Sequence, residues 1–363
     1  MAYHAGITQS AFYAARQWFG WMPGGLAIAT VFAAGGFSAV SGASSACAAV
    51  FSRVAIPEML RYGYNKSLAS AAVAAGGTLD ALIPPSALLV IYGLIVEESI
   101  GDLLLAGFIP GGISALAYVL VILYQVWWNP QLGAPAKDTN WRERFTSLPG
   151  TIPIVGVIGL ILMGVYTGWM TPTETGAGGA MIVFVYALMR GSLKFKELHH
   201  ALLDTAKTTV MIFSVVWGIL IFVRFLGYAG LPAAFADWIA HLPVSRYWVL
   251  LAILFLYVIL GMFMDGLGML LLTLPVVHPA LVGLGFDSVW FGIIVTKMIG
   301  IGALTPPVGL NCFVVAGVRP DIPLHIVFKG VTPFVTADFT VVGLFIIWPE
   351  IVTFLPNVMK VTN

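Results

Sequence analysis

The sequence predicts an all-α integral membrane protein made of two inverted repeats. Each repeat holds a re-entrant helical hairpin and a Pro-Pro-broken transmembrane helix. Three observations carry this. Of 363 residues, 60% are hydrophobic and 9% charged, against roughly 25% charged in ordinary soluble domains. Two long apolar stretches are interrupted midway by adjacent prolines, Pro84-Pro85 and Pro306-Pro307, which remove backbone donors and forbid a continuous helix. Sliding the chain by 222 positions lays one proline pair on the other. The same shift lays Pro57 on Pro279, Gly63-Tyr64 on Gly285-Phe286 and Asn65 on Asp287; one inserted residue later, Gly107 meets Gly330 and Pro110 meets Pro333.

The elements follow in chain order, each weighed against the roughly 20 residues that a crossing helix needs. Residues 1–17 hold polar groups throughout and no apolar run, so no cleavable signal is expected. Stretches 24–40 and 43–60 are short and flank the small polar tip Ser41-Gly42-Ala43-Ser44-Ser45, which predicts a hairpin over 24–60. The broken helix follows over 68–96, then a full helix over 103–128 ending in the interfacial pair Trp127-Trp128. These make the first repeat, residues 1–128. Connecting scaffold fills 129–240, with apolar spans at 152–169, 176–189 and 208–226 and a short interfacial stretch at 231–241. The second repeat covers 241–348: a hairpin over 247–284 around Asp265-Gly266, a broken helix over 290–318 and a full helix over 326–348. Residues 349–363 read as a tail.

Charge placement tests this topology. With the first hairpin entering from the cytoplasm, that side collects Arg53, Arg61, Lys66, Lys137, Arg142, Arg144, Arg190, Lys194, Lys196, Lys207, Arg319 and Lys329. The other side holds Arg246 and Lys360, has Arg224 near its edge, and carries the acidic loop at 97–102. Five crossings between the hairpins invert the second repeat, in agreement with that bias. The net charge of +1 and the lack of a basic run give no reason to expect a nucleic-acid partner; the expected surroundings are a lipid bilayer. Cys47 and Cys312 lie in apolar stretches and read as packed small hydrophobes.

Broken spans at matching places in two halves point to a transport site. A hard monovalent cation is satisfied by several oxygens, which hydroxyls and unwound carbonyls supply without formal charge. The first candidate cation site draws on Ser41, Ser44, Ser45, Gly77, Thr78 and Leu82; the second draws on Asp265, Gly266, Gly302 and Thr305. Half-helix N-termini aimed at the midplane favour an anion, so a carboxylate is expected between the tips, with Ser44, Ser86, Thr305 and Asn311 as polar contacts. Charged residues inside apolar spans carry a functional expectation. Asp80 or Asp265 is a candidate to ligate a cation or to pair with Lys297, and Asp338 and Glu174 are open between roles; Glu174 also suits a helix cap. There is no GxSxG, HExxH or helically spaced carboxylate pair, so catalysis is not expected.

Taken together, Pro23-Gly24-Gly25-Leu26-Ala27, the 41–45 tip, Gly77-Thr78-Leu79, Ile83-Pro84-Pro85-Ser86, Thr171-Pro172-Thr173-Glu174 and the run Leu304-Thr305-Pro306-Pro307-Val308-Gly309-Leu310-Asn311 resemble the large membrane subunit of TRAP (tripartite ATP-independent periplasmic) transporters. The resemblance covers nearly the whole chain in the right order. It implies a sodium-driven importer of a small organic acid in the bacterial inner membrane, with sodium as coupling ion and no other cofactor. It also implies a periplasmic substrate-binding protein, a small four-helix membrane subunit and an elevator motion of the hairpin-bearing part. Members usually carry several more segments before the Pro-Gly-Gly-Leu stretch, which would make this chain N-terminally short. Asp80 stands where members often have a small residue. The alternatives are a sodium/dicarboxylate symporter that needs no binding protein, whose usual Ser-Asn-Thr tip is missing here, and a truncated, non-transporting scaffold.

Overall fold

Helix α1 (Ile7–Phe19) lays a buried face of Ile7, Ala11 and Phe12 against α2 (Gly25–Ser41). The computed structural model describes residues 7–135, 141–191 and 195–362. Lys137 and Lys194 lie outside those residues, as does the side chain of Ser41. Among the described residues there is no strand.

After α2 the chain turns over two residues, Gly42 at φ +66° and extended Ala43, and returns as α3 (Ser44–Arg61). Glycine accepts the left-handed conformation that this tip requires. Helix α4 (Lys66–Gly77) begins at an Asn65 cap and runs into a 3₁₀ turn over Thr78–Ala81. The cis Pro84-Pro85 bond follows, and α5 (Ala87–Val96) resumes the span. Helix α6 (Ile100–Trp128) crosses in full. Helices α7 (Trp141–Ser147), α8 (Ile152–Tyr166) and α9 (Pro172–Met189) lead to α10 (Phe195–Tyr228) and α11 (Leu231–Ala240). Glu174 is the reciprocal partner of Thr171 in a capping box at the start of α9.

The second half repeats the sequence of elements: α12 (Arg246–Phe263), a tip at Met264 and Asp265, α13 (Gly266–Gly283), α14 (Ser288–Gly302), the cis Pro306-Pro307 bond, α15 (Leu310–Val318) and α16 (Leu324–Ile347). Helices α3 and α13 have the same length, 18 residues, and their ends are related by the 222-residue shift. Asn65 and Asp287, related by that shift, cap α4 and α14. Packing partners are exchanged between the halves. Helix α3 packs on α15 and α13 on α5, while α4 packs on α16 and α14 on α6. Residues beyond 348, expected as a tail, form α17 (Glu350–Thr362), which packs on α6.

Six helices among the described residues are long and apolar enough to cross a membrane. Only 6% of the most apolar window of α10 is buried inside the protein. A helix with mean hydropathy 2.3 and its sides exposed belongs in hydrocarbon, where its backbone bonds are satisfied internally. The protein is an all-α integral membrane protein.

Outside the apolar core, the Arg319 guanidinium makes a bidentate pair with Asp321 at 2.8 Å, and Lys66 at the start of α4 donates to the Asp321 carbonyl at 2.8 Å. The Arg319 hydrogen bonds, helped by its charge and that of Lys66, hold the Asp321 carboxyl at about 2.

Candidate functional site

Each hairpin tip meets the break in its own half. At the first break, the Ser44 carbonyl lies 3.1 Å, and Asn311 Nδ2 3.3 Å, from where a Cβ on Gly77 would stand. Any larger residue at 77 would push these apart. Helix α4 ends here, so its last carbonyls and the negative end of its dipole face the break. Asn311 reaches across from α15 and donates to the Ala74 carbonyl at 3.3 Å, while its own Oδ1 is buried with no hydrogen-bond partner among the described residues. The Thr78 hydroxyl lies 2.8 Å from the Ala75 carbonyl and 3.0 Å from the Tyr118 hydroxyl.

At the second break a Cβ on Gly302 would stand 2.6 Å from the Gly261 Cα, so α12 and α14 touch backbone to backbone. A Cβ on Gly266 would meet Ile299 at 2.7 Å and Leu88 of α5 at 3.2 Å. Asp265 caps α13 by accepting from the Leu267 N–H at 3.2 Å and is exposed. The Thr305 hydroxyl donates to the Ile301 carbonyl at 2.6 Å. Pro306 and Pro307 are exposed, whereas Pro84 is buried and Pro85 half-buried.

Both tips reach the start of α5, the second through Gly266 against Leu88. A Cβ on Gly42 would stand 3.6 Å from that of Ala87, at the N-terminus of α5. The N-termini of α3, α5 and α13 therefore converge, and Asn311, near the start of α15, reaches the first break. Convergent helix N-termini present unpaired N–H groups and positive dipole ends, an arrangement suited to an anion.

The sequence-predicted residues divide accordingly. Ser44, Gly77 and Thr78 come together at the first break, with Ser45 beside Ser44 at the start of α3. Leu82 does not join them: its carbonyl packs against Gly107 of α6. Asp265 and Gly266 sit at the second tip, and Gly302 lies against α12. Ser86 is buried; it donates to the Ala81 carbonyl at 2.8 Å and caps α5, so its hydroxyl is engaged within the break. Asn311, expected as a polar contact of a carboxylate between the tips, reaches the first break from α15. Lys297 pairs with Asp338 at 2.5 Å, not with Asp80 or Asp265. Asp80 is buried in the 3₁₀ turn of the first break, 7% exposed. Sequence reasoning missed Tyr118, which is fully buried and donates to Asp338 at 2.7 Å. The available signal was a tyrosine hydroxyl in the middle of an apolar helix, where it must find a partner.

Among the described residues no three His, Cys, Asp or Glu side chains come together. The donors gathered at the breaks are instead carbonyl and hydroxyl oxygens, a set that fits a hard monovalent cation.

Residues 1–351 match the family described as DctM: Tripartite ATP-independent periplasmic transporter, DctM component. The chain belongs to this family. Three DctM relatives show its breadth. The chain is 32% identical over 354 residues to the C4-dicarboxylate TRAP transporter large permease protein DctM of Pseudomonas aeruginosa, covering 97% of this chain and 81% of that one. It is 32% identical over 358 residues to the sialic acid TRAP transporter large permease protein SiaM of Vibrio cholerae, covering 97% and 82%. It is 30% identical over 341 residues to the ectoine TRAP transporter large permease protein TeaC of Halomonas elongata, covering 93% and 78%. The DctM family and these relatives are transporter permeases, not enzymes.

Proposed function

We propose that this chain is the large permease subunit of a TRAP transporter that imports a small carboxylate-bearing solute with sodium across the bacterial inner membrane. A periplasmic binding protein delivers the solute, and a small four-helix membrane subunit completes the membrane part. The reading rests on one observation above the rest: each hairpin tip meets a Pro-Pro break, and the helix N-termini converge between them. Sodium is taken by the oxygens of Ser44, Gly77 and Thr78 at the first break, and by those of the second tip with Gly302 and Thr305. The carboxylate sits between the tips. Residues 1–128 and 241–348 form the two inverted repeats, 129–240 the connecting scaffold and 349–363 a terminal segment. Transport proceeds by an elevator-type movement of the hairpin-bearing part.

The test is uptake of labelled organic acids into liposomes holding this chain with its small membrane subunit and binding protein. Uptake is expected to require an inward sodium gradient. Equal uptake with sodium replaced by choline would sink the coupling.

A further inference from the structure

A buried polar chain runs from the second half of the molecule to the first break. Lys297 of α14 and Asp338 of α16 pair at 2.5 Å, their side chains 4% and 1% exposed. The Lys297 ammonium also lies 5.2 Å from the centre of the Tyr118 ring. Tyr118 of α6 touches the other Asp338 oxygen at 2.7 Å and the Thr78 hydroxyl at 3.0 Å.

Counting protons fixes the direction of this chain. A carboxylate paired with an ammonium only accepts, so the Tyr118 proton goes to Asp338. The Tyr118 oxygen is then left as an acceptor toward Thr78. Thr78 has one hydroxyl proton and two acceptors in reach, Tyr118 and the Ala75 carbonyl. If the proton points to Ala75, two oxygens face each other at 3.0 Å with no proton between them. If it points to Tyr118, the Ala75 carbonyl keeps only its bond from the Thr78 backbone N–H, with a lone pair left over, and the Thr78 oxygen keeps its lone pairs.

We propose that the Lys297–Asp338–Tyr118 chain raises the sodium affinity of the first break by drawing the Thr78 proton away from the Ala75 carbonyl. Two oxygens at the C-terminal end of α4 are thereby left as electron-pair donors for the ion. Tyr118 is a positioning residue that acts through Thr78. The shift that relates the halves puts Gly300 where Thr78 stands, so the second break has no such device and the two cation sites are inequivalent. This rests on the sodium reading above.

The test is thermal unfolding of the purified full chain in detergent against sodium chloride, with choline chloride holding ionic strength constant. Wild type is expected to gain Tm saturably with sodium, by mass action. Tyr118→Phe and Thr78→Val are each expected to raise the half-stabilising sodium concentration about tenfold, the scale of one hydrogen bond. Thr78→Ser, which restores the hydroxyl, restores the response. The double variant should be no weaker than Thr78→Val alone, because the two act through one hydroxyl. A Tyr118→Phe chain that loses sodium-free Tm but keeps the wild-type sodium midpoint overturns the proposal and leaves a purely structural tyrosine. Should Tyr118→Phe not fold, Lys297→Met with Asp338→Leu, which frees the Tyr118 proton to point at Thr78, decides in its place: a wild-type sodium midpoint in that variant overturns the proposal. A wild-type chain stabilised no better by sodium than by choline overturns the sodium reading itself.

Discussion

Lys297 and Asp338 are buried from solvent, so each depends on the other for its charge to be tolerated. Removing one leaves the other buried and unpaired, at a cost of about 3–5 kcal/mol. Lys297→Met is expected to destabilise the protein by that amount in thermal or denaturant unfolding, and Lys297→Met with Asp338→Leu to recover most of it. A double variant as unstable as the single would show that the pair contributes more than mutual neutralisation. Asn311 offers a second residue-scale test. Its amide bridges α15 to α4 and its oxygen has no partner among the described residues. Asn311→Ala removes that bridge and a free oxygen at the first break. The sodium concentration for half-maximal uptake is expected to rise about tenfold, on the order of one hydrogen bond, and an unchanged sodium titration would remove Asn311 from the site.

At the scale of elements, the contact between α12 and α14 depends on two glycines. Gly302 has backbone in front of it, and backbone cannot rotate aside as a flexible side chain can. Gly302→Ala is expected to cost about 1–3 kcal/mol through overpacking. Gly261→Ala, whose Cβ would stand 3.1 Å from the Gly302 Cα, should cost less. Gly268→Ala, with nothing within 4 Å, should stay within about 0.5 kcal/mol. Unfolding of the three variants side by side checks that order. The breaks and tips were legible in the sequence because proline and glycine act locally, within a few residues of where they stand. Helix α1 was not, because a single amphipathic helix of 13 residues carries too few apolar positions to stand out. The polar chain was invisible for another reason: Thr78, Tyr118, Lys297 and Asp338 sit on four different elements, and no local pattern joins residues as far apart as 118 and 338. The reach of Asn311 to the first break was invisible as well, because it depends on α15 packing on α3.

For the molecule as a whole, Arg319, Asp321 and Lys66 tie the start of α4 to the loop after α15. The Asp321 carboxyl is depressed to about 2, below its ordinary value of roughly 3.9. Any stability it adds is present in full above that ordinary value and is lost only as pH falls through about 2. The group is exposed, so the contribution is small. The Tm difference between wild type and Asp321→Asn is therefore expected to be the same at pH 8 and pH 5; a difference that disappears by pH 5 would contradict this. The exposed sides of α10 make a different point about the whole, since they assign that helix to a hydrocarbon environment by exposure and hydropathy together.

The exchange of partners between halves has a consequence for biosynthesis. Helix α4 is made early, yet the Asn311 amide that closes on its Ala74 carbonyl comes 237 residues later, and α3 and α5 likewise rest on helices translated near the end. The first break therefore stays unfinished while most of the chain is being inserted. Nascent chains halted before residue 310 are expected to remain open to a cysteine-directed label placed at Ala74, which is fully buried in the whole protein, and chains released after α16 to be protected. Equal labelling at the two lengths would mean that the first half closes without the second.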